Sequence, residues 1–290
     1  MAVFADTRCL ICQLERNIAT AKKFGTEEQA IAFAKDLMQM LAEAPAGVPA
    51  PFFTPGVTAL FDRHYHLGMD RYAEEKRQSN AFVLARMDQI REKVFSAADP
   101  VKAGLRFAIL GNYIDFAALR DAVSFEKLDE MLESALEMEL DEESYGNFCR
   151  ELSRGGKLLY LTDNAGEIGF DRIFAEAIHQ AYPQVAITFC VRGGPAANDA
   201  TREDAAEVGI PFPVIDNGNC IPGTYLDMLG EEAKKAMDEA DVILSKGQGN
   251  LETLLGCGYN IYYAFLVKCQ LFMERFGKEK LTPMFIRERN

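Results

Sequence analysis

The segment Leu158–Asp171, with the sequence LLYLTDNAGEIGFD, constrains the fold of this chain more than any other stretch. Apolar residues at 158–161 run directly into Asp163 and Asn164, and a helical pattern begins at Glu167. This order predicts a buried strand that ends in two oxygen-bearing side chains at the start of a helix. Open α/β sheets bind their ligands at such carboxyl ends of strands, and the free N–H groups of a helix start favour phosphate. The segment therefore predicts a place where a metal ion and a phosphate group meet.

Short apolar runs alternate with helical patterns throughout the second half of the chain. The predicted strands are Lys157–Leu161, Val185–Val191, Phe212–Ile215, Val242–Leu244 and Asn260–Phe265. Helices are predicted between the strands, at Glu167–Ala181, at Arg202–Val208, at Tyr225–Glu239 and from Leu251. Strands separated by helices imply βαβ units and a mostly parallel sheet. The second half is thus predicted to be a doubly wound α/β domain with Rossmann-like layering.

The first half of the chain shows helical periodicity instead. Thr26 and Gln29 fit a capping box at the start of one helix, and a breaker-rich stretch at residues 44–51 follows it. Further helical patterns cover Pro55–Arg91, Val101–Leu110, Ser124–Met138 and Glu142–Leu152. We therefore predict an all-α helical domain over residues 1–152 and an α/β metal- and phosphate-binding domain over residues 153–290.

The charge of the chain bears on its partners. Its 31 Lys and Arg residues against 44 Asp and Glu residues give a formal net charge of −13. Such a surface repels phosphodiester backbones, so we expect neither nucleic acid nor an anionic membrane as a partner. No apolar run reaches the roughly 18 residues of a membrane-spanning helix, and we find no signal-peptide pattern. We therefore expect a cytoplasmic protein with reduced cysteines, and the sequence leaves its oligomeric state open.

A second set of oxygen-bearing side chains follows the next predicted strand. Asn198 and Asp199 lie in the loop after Val185–Val191, about one βα unit after Asp163. Two adjacent parallel strands would bring Asp163, Asn164 and Asp199 together at one edge of the sheet. Two carboxylates and one amide suit Mg²⁺ or Mn²⁺, with positions left for water and a substrate phosphate. Helix capping is the alternative role at each position taken singly, because Asp and Asn favour helix starts.

A third predicted strand end carries a positive charge. Lys246 follows the strand Val242–Leu244, and Gly247 and Gly249 stand beside it. This arrangement can place a cation and free N–H groups on a phosphate, although the spacing is not that of a P-loop. A turn whose Lys side chain reaches solvent is the alternative.

Several of these segments together resemble one known family. They are DNAGE at 163–167, RGGPAANDAT at 192–201, GI at 209–210, DNG at 216–218, SKGQGN at 245–250 and LVKC at 266–269. In this order they resemble the DUF89 family of damage-control phosphatases, and the resemblance extends from Cys9 to about Cys269. It implies a Rossmann-like α/β core with a helical N-terminal region. It also implies metal-dependent hydrolysis of phosphomonoesters of small metabolites, such as sugar phosphates, as a form of metabolite damage control.

The resemblance also implies roles for individual residues. Asp163, Asn164 and Asp199 would hold a divalent metal, Mn²⁺, Mg²⁺, Co²⁺ or Ni²⁺, and Lys246 would contact the phosphate; these four form the expected catalytic set. Asn112 matches a GNxxD stretch through which the helical domain would reach the substrate, although a helix break with an exposed Asn is the alternative. The other candidates for binding substrate or phosphate are Asp115, Gly166, Glu167, Gly193, Gly194, Asn198, Gly247 and Asn250.

Several questions of mechanism stay open at the level of sequence. A metal-bound water is the simplest nucleophile, and an aspartyl-phosphate route through Asp163 or Asp199 is also possible. Glu167 would orient water or stabilise the start of its helix. A non-catalytic sensor of a metal and a sugar phosphate would need the same ligands. A Rossmann-like transferase is the other alternative, but no G-x-G-x-x-G follows a strand.

The N-terminal Cys9 and Cys12 form a CxxC that resembles the stand-alone prokaryotic branch of the family. The RTxK motif of the eukaryotic branch is missing from the C-terminal sequence TPMFIRERN. A structural pair that packs against the α/β domain, a metal site and a redox pair are all compatible with the CxxC. Arg16 and Asn17, which follow it, are further candidates for the substrate site.

Overall fold

A computed structural model of the chain describes residues 5–115 and 123–288. The helices before the sheet are α1 (Thr7–Ala21), α2 (Glu27–Glu43), α3 (Thr54–Tyr65), α4 (Ala73–Leu84), α5 (Met87–Phe95), α6 (Pro100–Gly111), α7 (Phe125–Glu133) and α8 (Glu142–Leu152). Strands and helices then alternate as β1 (Gly156–Leu161), α9 (Glu167–Ala181), β2 (Val185–Val191), α10 (Arg202–Glu207), β3 (Val214–Asp216), α11 (Glu231–Glu239), β4 (Val242–Lys246), α12 (Gly247–Leu254), β5 (Ile261–Leu266), α13 (Gln270–Phe276) and β6 (Pro283–Arg287).

The six strands form one sheet in the order β3-β2-β1-β4-β5-β6. The first five are parallel, and β6 runs antiparallel to β5. The chain moves outward from β1 to β3 and then returns to the other side of β1 with β4. The carboxyl ends of β1 and β4 therefore flank the point where the strand order reverses, which is where open α/β sheets bind ligands. The predicted fold class, N-terminal helices followed by a mostly parallel sheet, is confirmed.

Most predicted elements are present. The helix predicted over Tyr225–Glu239 begins only at Glu231, because Leu226–Met228 forms a separate 3₁₀ turn and Gly230 is the N-cap. Two further departures also have physical reasons. The strand Val185–Val191 and the capping box of Thr26 and Gln29 are confirmed. The helical stretch predicted from Pro55 to Arg91 is instead three helices, because His66 adopts a left-handed conformation that ends α3. The strand β6 was not predicted, since it begins with a proline at the edge of the sheet and only Phe285 within it is buried.

One hydrophobic core crosses the boundary that the sequence predicts at residue 152. Phe107 of α6 and Phe148 of α8 are fully buried together with Tyr160 of β1, Phe174 of α9 and Tyr262 of β5. The other face of the sheet has its own cluster, formed mainly by β1, β4 and β5 with α11, α12 and α13. The division of the chain into two domains stays a prediction, and the packing joins α5 to α8 to the same core as the sheet.

A separate, smaller cluster holds the first three helices together. Phe33 of α2 and Phe61 of α3 are both inaccessible to solvent, and their ring centroids lie 4.5 Å apart. Helices α1 to α3 with this cluster are called the cap below. No helix within residues 5–115 and 123–288 is long and apolar enough to cross a membrane.

The close packing of α6 on α9 predicts opposite effects of two Gly→Ala substitutions. A Cβ at Gly104 would lie 3.0 Å from Cα of Phe174, whereas a Cβ at Gly146 of α8 would meet nothing within 4 Å. We expect Gly104→Ala to lower the free energy of unfolding by about 1–3 kcal/mol through overpacking. Gly146→Ala should raise it by about 0.5–1 kcal/mol, because alanine loses less backbone entropy in a helix. Urea denaturation measures both, and equal effects would contradict this account of the interface.

Candidate active site

Two loops at the carboxyl ends of β1 and β2 are joined by backbone hydrogen bonds. The N–H of Ala200 donates to the carbonyl of Asp163 at 2.7 Å, and the N–H of Ala165 donates to the carbonyl of Asn198 at 2.9 Å. Asn164 and Asp199 face each other in an isolated antiparallel bridge. The structure thus brings together the three residues that the sequence predicts as metal ligands, and it does so through the backbone.

The carboxylate of Asp163 lies at the centre of this arrangement. Its Oδ2 accepts hydrogen bonds from Nδ2 of Asn112 and from Nδ2 of Asn164, each at 2.8 Å. Burial raises the pKa of Asp163 well above its usual range, and the nearby carboxylates of Asp199 and Glu167 raise it further. Negative charge is therefore concentrated here without a full complement of positive charge.

Asp199 is held by an arginine that sequence reasoning did not single out. Nε of the fully buried Arg192 donates to Oδ2 of Asp199 at 2.7 Å, and its Nη2 donates to the carbonyl of Thr162 at 2.9 Å. Burial still raises the pKa of Asp199, although Arg192 opposes that effect. Arg192 thus fixes the orientation of Asp199, which lines the cleft.

The amide of Asn164 is fixed from both ends. Its Oδ1 accepts a hydrogen bond from Nδ2 of Asn198 at 2.8 Å, and its Nδ2 donates to Oε2 of Glu167 at 2.7 Å. Glu167 is fully buried, so its predicted role in orienting water has no direct path to the cleft. Asn112 also donates to Glu167, and the N–H of Leu266 donates to Oδ1 of Asn112 at 3.1 Å.

These residues fit a hard divalent cation. Oδ1 of Asp163 and Oδ1 of Asp199 accept no hydrogen bond from residues that the structure describes, and Oδ1 of Asn164 accepts one. All three residues line the same cleft. Within the described residues, no three or more His, Cys, Asp and Glu side chains are grouped so that they could hold a metal by themselves. The amide oxygen of Asn164 is therefore needed as the third ligand. Such a set leaves most of the coordination shell to water and substrate.

Lys246 lies elsewhere than the resemblance implies. Its Nζ is fully buried beneath the site and donates to Oε1 of Glu167 at 2.7 Å, to Oδ1 of Asp171 at 2.6 Å and to the carbonyl of Ala108 at 2.8 Å. An ammonium group has three N–H donors, and all three are used by these contacts. Lys246 therefore has no donor left for a phosphate in this arrangement.

The partners of Lys246 form a buried charged network. Burial raises the pKa of Asp171 to about 7, with Lys246 opposing the shift, and the hydroxyl of Tyr160 donates to Asp171 at 2.8 Å. The attraction of Asp171 and Glu167 outweighs burial for Lys246, whose pKa is raised. The cation thus offsets the charges of Glu167 and Asp171 behind the candidate metal site.

Several of the other residues predicted to contact phosphate hold the loops around the cleft in place. The N–H of Gly166 donates to Oδ1 of Asn80, and that of Gly193 donates to the Asn217 side chain and the Asn219 carbonyl, so neither is available to a phosphate. Asn250 donates to the carbonyls of Thr162 and Lys246 and ties the ends of β1 and β4 together. Gly194 lies beside the sulfur of Cys220.

A cleft of about 590 Å³ opens above the sheet edge between the cap and the α/β core. Asp163, Asn164 and Asp199 line its floor, and the first turn of α12 contributes Gln248 and Gly249. That first turn has no side-chain cap, so its N–H groups favour an anion. Lys268, which follows β5, donates to Oδ2 of Asp115 at 2.6 Å and is the lysine that lines the cleft.

The CxxC lies on α1 at the opposite wall of this cleft. Cys9 and Cys12 both line it, together with Arg16. Burial raises the pKa of Cys9 to about 11, which keeps the group a thiol at neutral pH. Asn17 points away from the cleft, since it is buried and its amide donates to Gln13. The structural, metal and redox roles of the CxxC stay predictions.

Comparison with known proteins identifies the family. Residues 5–282 match the family described as the damage-control phosphatase ARMT1-like domain. The chain belongs to this family.

Relatives of this family member come from several archaea. It is 33% identical to a damage-control phosphatase of Archaeoglobus fulgidus, over 90% of this chain and 91% of that protein. It is 30% identical to an uncharacterised protein of Methanocaldococcus jannaschii, over 93% of this chain and 90% of the relative. The crystal structure of a DUF89 family protein of Pyrococcus horikoshii superposes with a TM-score of 0.82 at 26% identity, covering 98% of this chain and 99% of the other. The predicted membership of the family is confirmed. Its assignment to the prokaryotic CxxC branch stays a prediction.

Two residues of this family member were present in motifs but were not predicted as site residues. Arg192 opens the segment RGGPAANDAT, and Lys268 lies in LVKC. Lys268 follows a buried strand directly, which is the same signal that drew attention to Lys246. The sequence offers no way to see that one of these two lysines points into the core and the other into the cleft.

Replacement of Lys246 tests its position beneath the site. Lys246→Met would leave Glu167 and Asp171 buried without their cation, so we expect the free energy of unfolding to fall by about 3–5 kcal/mol. Lys157→Met is the matched control, because Lys157 pairs with Glu239 at the exposed surface and its loss should lower the free energy of unfolding far less. Urea denaturation of both variants measures the difference. A Lys246→Met protein as stable as the control would contradict the buried network.

Gly247 provides a second test of the site's packing. Its φ is +78°, and a Cβ there would lie 2.0 Å from Oδ2 of Asp163. Gly258 has a similar φ of +88° but no neighbouring atom within 4 Å. Both Gly→Ala substitutions should cost about 1–2 kcal/mol of left-handed strain, and Gly247→Ala should cost about 1–3 kcal/mol more through overpacking. Equal losses in urea denaturation would show that Gly247 does not support Asp163.

Proposed function

We propose that this chain is a metal-dependent phosphatase that hydrolyses phosphomonoesters of small metabolites. The observation that carries the proposal is the grouping of three oxygen ligands, Asp163, Asn164 and Asp199, on the floor of a cleft large enough for a small metabolite. Membership of the family supports the same reaction, because two relatives of the chain are named damage-control phosphatases. Sugar phosphates are the substrates we would test first.

The residues of the floor would hold the metal with their side-chain oxygens. Arg192 fixes Asp199, Asn198 fixes the amide oxygen of Asn164, and Asn112 fixes Asp163. A preorganised set of this kind binds the ion without reorganising at the moment of reaction. When bound, Mg²⁺, Mn²⁺, Co²⁺ or Ni²⁺ would supply positive charge that offsets the charge on the phosphoryl group as the P–O bond lengthens.

The remaining phosphate oxygens would contact groups on the adjacent wall. The uncapped first turn of α12 offers N–H donors, and Lys268 offers a cation that Asp115 holds in place. This assigns to Lys268 the phosphate contact that the resemblance implies for Lys246. Because α12 begins directly after β4, its first turn lies beside the ligands that follow β1.

Asp163→Asn tests the metal and the reaction separately. Without metal, the variant should melt at a higher temperature than the wild type, because a carboxylate is removed from beside Asp199 and Glu167. It should lose the rise in melting temperature that the wild type shows on addition of Mn²⁺ or Mg²⁺. Release of phosphate from 4-nitrophenyl phosphate and sugar phosphates should fall by about a hundredfold or more.

Asp88→Asn is the control for a change of surface charge, since Asp88 is exposed on α5. It should keep the melting behaviour and turnover of the wild type. Turnover by Asp163→Asn at wild-type rates, with each metal in turn, would exclude the proposed ligand set. Metal binding by the wild type without phosphate release from any substrate would favour a non-catalytic sensor instead.

A further inference from the structure

Beside the cap, an arginine lines the cleft without an ion pair or side-chain hydrogen bond to the part of the chain that the structure describes. Arg71 follows α3 and lines the cleft together with Tyr72 and Arg16. Its Nε is buried without a hydrogen-bond partner, and its guanidinium forms no ion pair with the described residues. A partly desolvated guanidinium without an ion pair is costly, because a desolvated charge normally requires a partner.

Two other cations that line the cleft, Arg8 and Lys268, each form ion pairs with carboxylates. Arg8 pairs with Asp6 and with Glu274, and Lys268 pairs with Asp115. Burial lowers the pKa of Arg71, and so does the nearby charge of Arg16, against the opposing effects of Tyr72 and Glu75. Arg71 is therefore distinguished from them by the lack of an ion pair, even though the chain as a whole carries a net charge of −13.

The position of Arg71 is fixed by stacking. Its Cζ lies 4.1 Å from the ring centroid of Phe61 and 4.9 Å from that of Tyr72. Phe61 belongs to the apolar cluster of the cap, so the guanidinium rests on a rigid surface. A stacked guanidinium keeps its N–H edge available, and this edge matches the two oxygens of a carboxylate or phosphate. The ring contacts thus hold Arg71 ready to bind an anion.

We propose that Arg71 binds a second anionic group of the substrate, so that the preferred substrates are phosphomonoesters that carry another phosphate or a carboxylate. This inference rests on the proposed function, in which the reacting phosphate lies on the floor beside Asp163. The floor and Arg71 line one cleft, and a ligand with an anion at each end would contact both walls. Arg71 is then a specificity residue and has no part in the reaction at the phosphoryl group.

The test compares two substrates that differ only in the second anion. Glucose 1-phosphate and glucose 1,6-bisphosphate are hydrolysed by the wild type, Arg71→Gln, Arg71→Lys and the control Arg77→Gln under the metal that gives most phosphate release. Arg77 is exposed on α4 and pairs with Glu74, so its replacement removes the same charge away from the cleft.

We expect the wild type to favour the bisphosphate in kcat/KM by about ten- to a hundredfold, as for a charge-assisted hydrogen bond. Arg71→Gln should lose this preference through a higher KM for the bisphosphate, while kcat/KM for glucose 1-phosphate stays within about twofold. Arg71→Lys should keep part of the preference, and Arg77→Gln should keep all of it. Ethyl phosphate and 2-phosphoglycolate, which differ by a carboxylate, distinguish a general anion site from one for phosphate.

Three outcomes would overturn the proposal while leaving the phosphatase intact. In the first, the wild type prefers neither doubly anionic compound. In the second, Arg71→Gln loses activity equally on both members of a pair. In the third, Arg77→Gln loses the preference as fully as Arg71→Gln does. If no metal supports phosphate release, titration calorimetry in Mn²⁺ with the same pairs measures the preference directly. Equal affinities there would overturn it independently of catalysis. If Arg71→Gln does not fold, the proposal is tested by the substrate preference of the wild type and by how much of it Arg71→Lys keeps.

Discussion

The buried cation of Lys246 is the interaction on which the rest of the site depends. It comes from the end of β4, pairs with Glu167 and Asp171 on α9, and donates to the carbonyl of Ala108 on α6. These three elements meet where the strand order reverses, so one ammonium group fixes the floor of the cleft relative to the core. Glu167 can then hold Asn164 and Asn112 from behind, because its own charge is balanced. A network of this kind specifies one arrangement of the elements.

Much of the fold and part of the site could be predicted from the sequence. Asp163, Asn164 and Asp199 were found because parallel strands place their carboxyl ends at one edge, and strand positions follow from apolar patterns. The direction of Lys246 could not be found in this way, because a residue at a strand end can point to either side of the sheet. Arg192 was missed since its role is to hold Asp199, a contact set by the return of the loop after β2 and not by spacing.

The acidic composition of the chain and the chemistry of the cleft are compatible because charge is balanced locally. The floor gathers carboxylates whose pKa values are raised by burial, and under the proposed function a divalent cation would relieve their repulsion. The walls add Lys268 and arginines of the cap. The proposed site would thus give up stability of the metal-free protein for affinity toward a cation and an anion together, a common relation between stability and function.

The two walls of the cleft belong to different hydrophobic clusters, and this separation has an evolutionary consequence. The floor is anchored in the core around the sheet, whereas the opposite wall stands on the small cluster around Phe33 and Phe61. Substitutions within α1 to α3 can reshape the outer wall without moving the ligands of the floor. Under the proposed function, substitutions in the first 70 or so residues could therefore change which metabolites bind. The residues of the floor would stay the same.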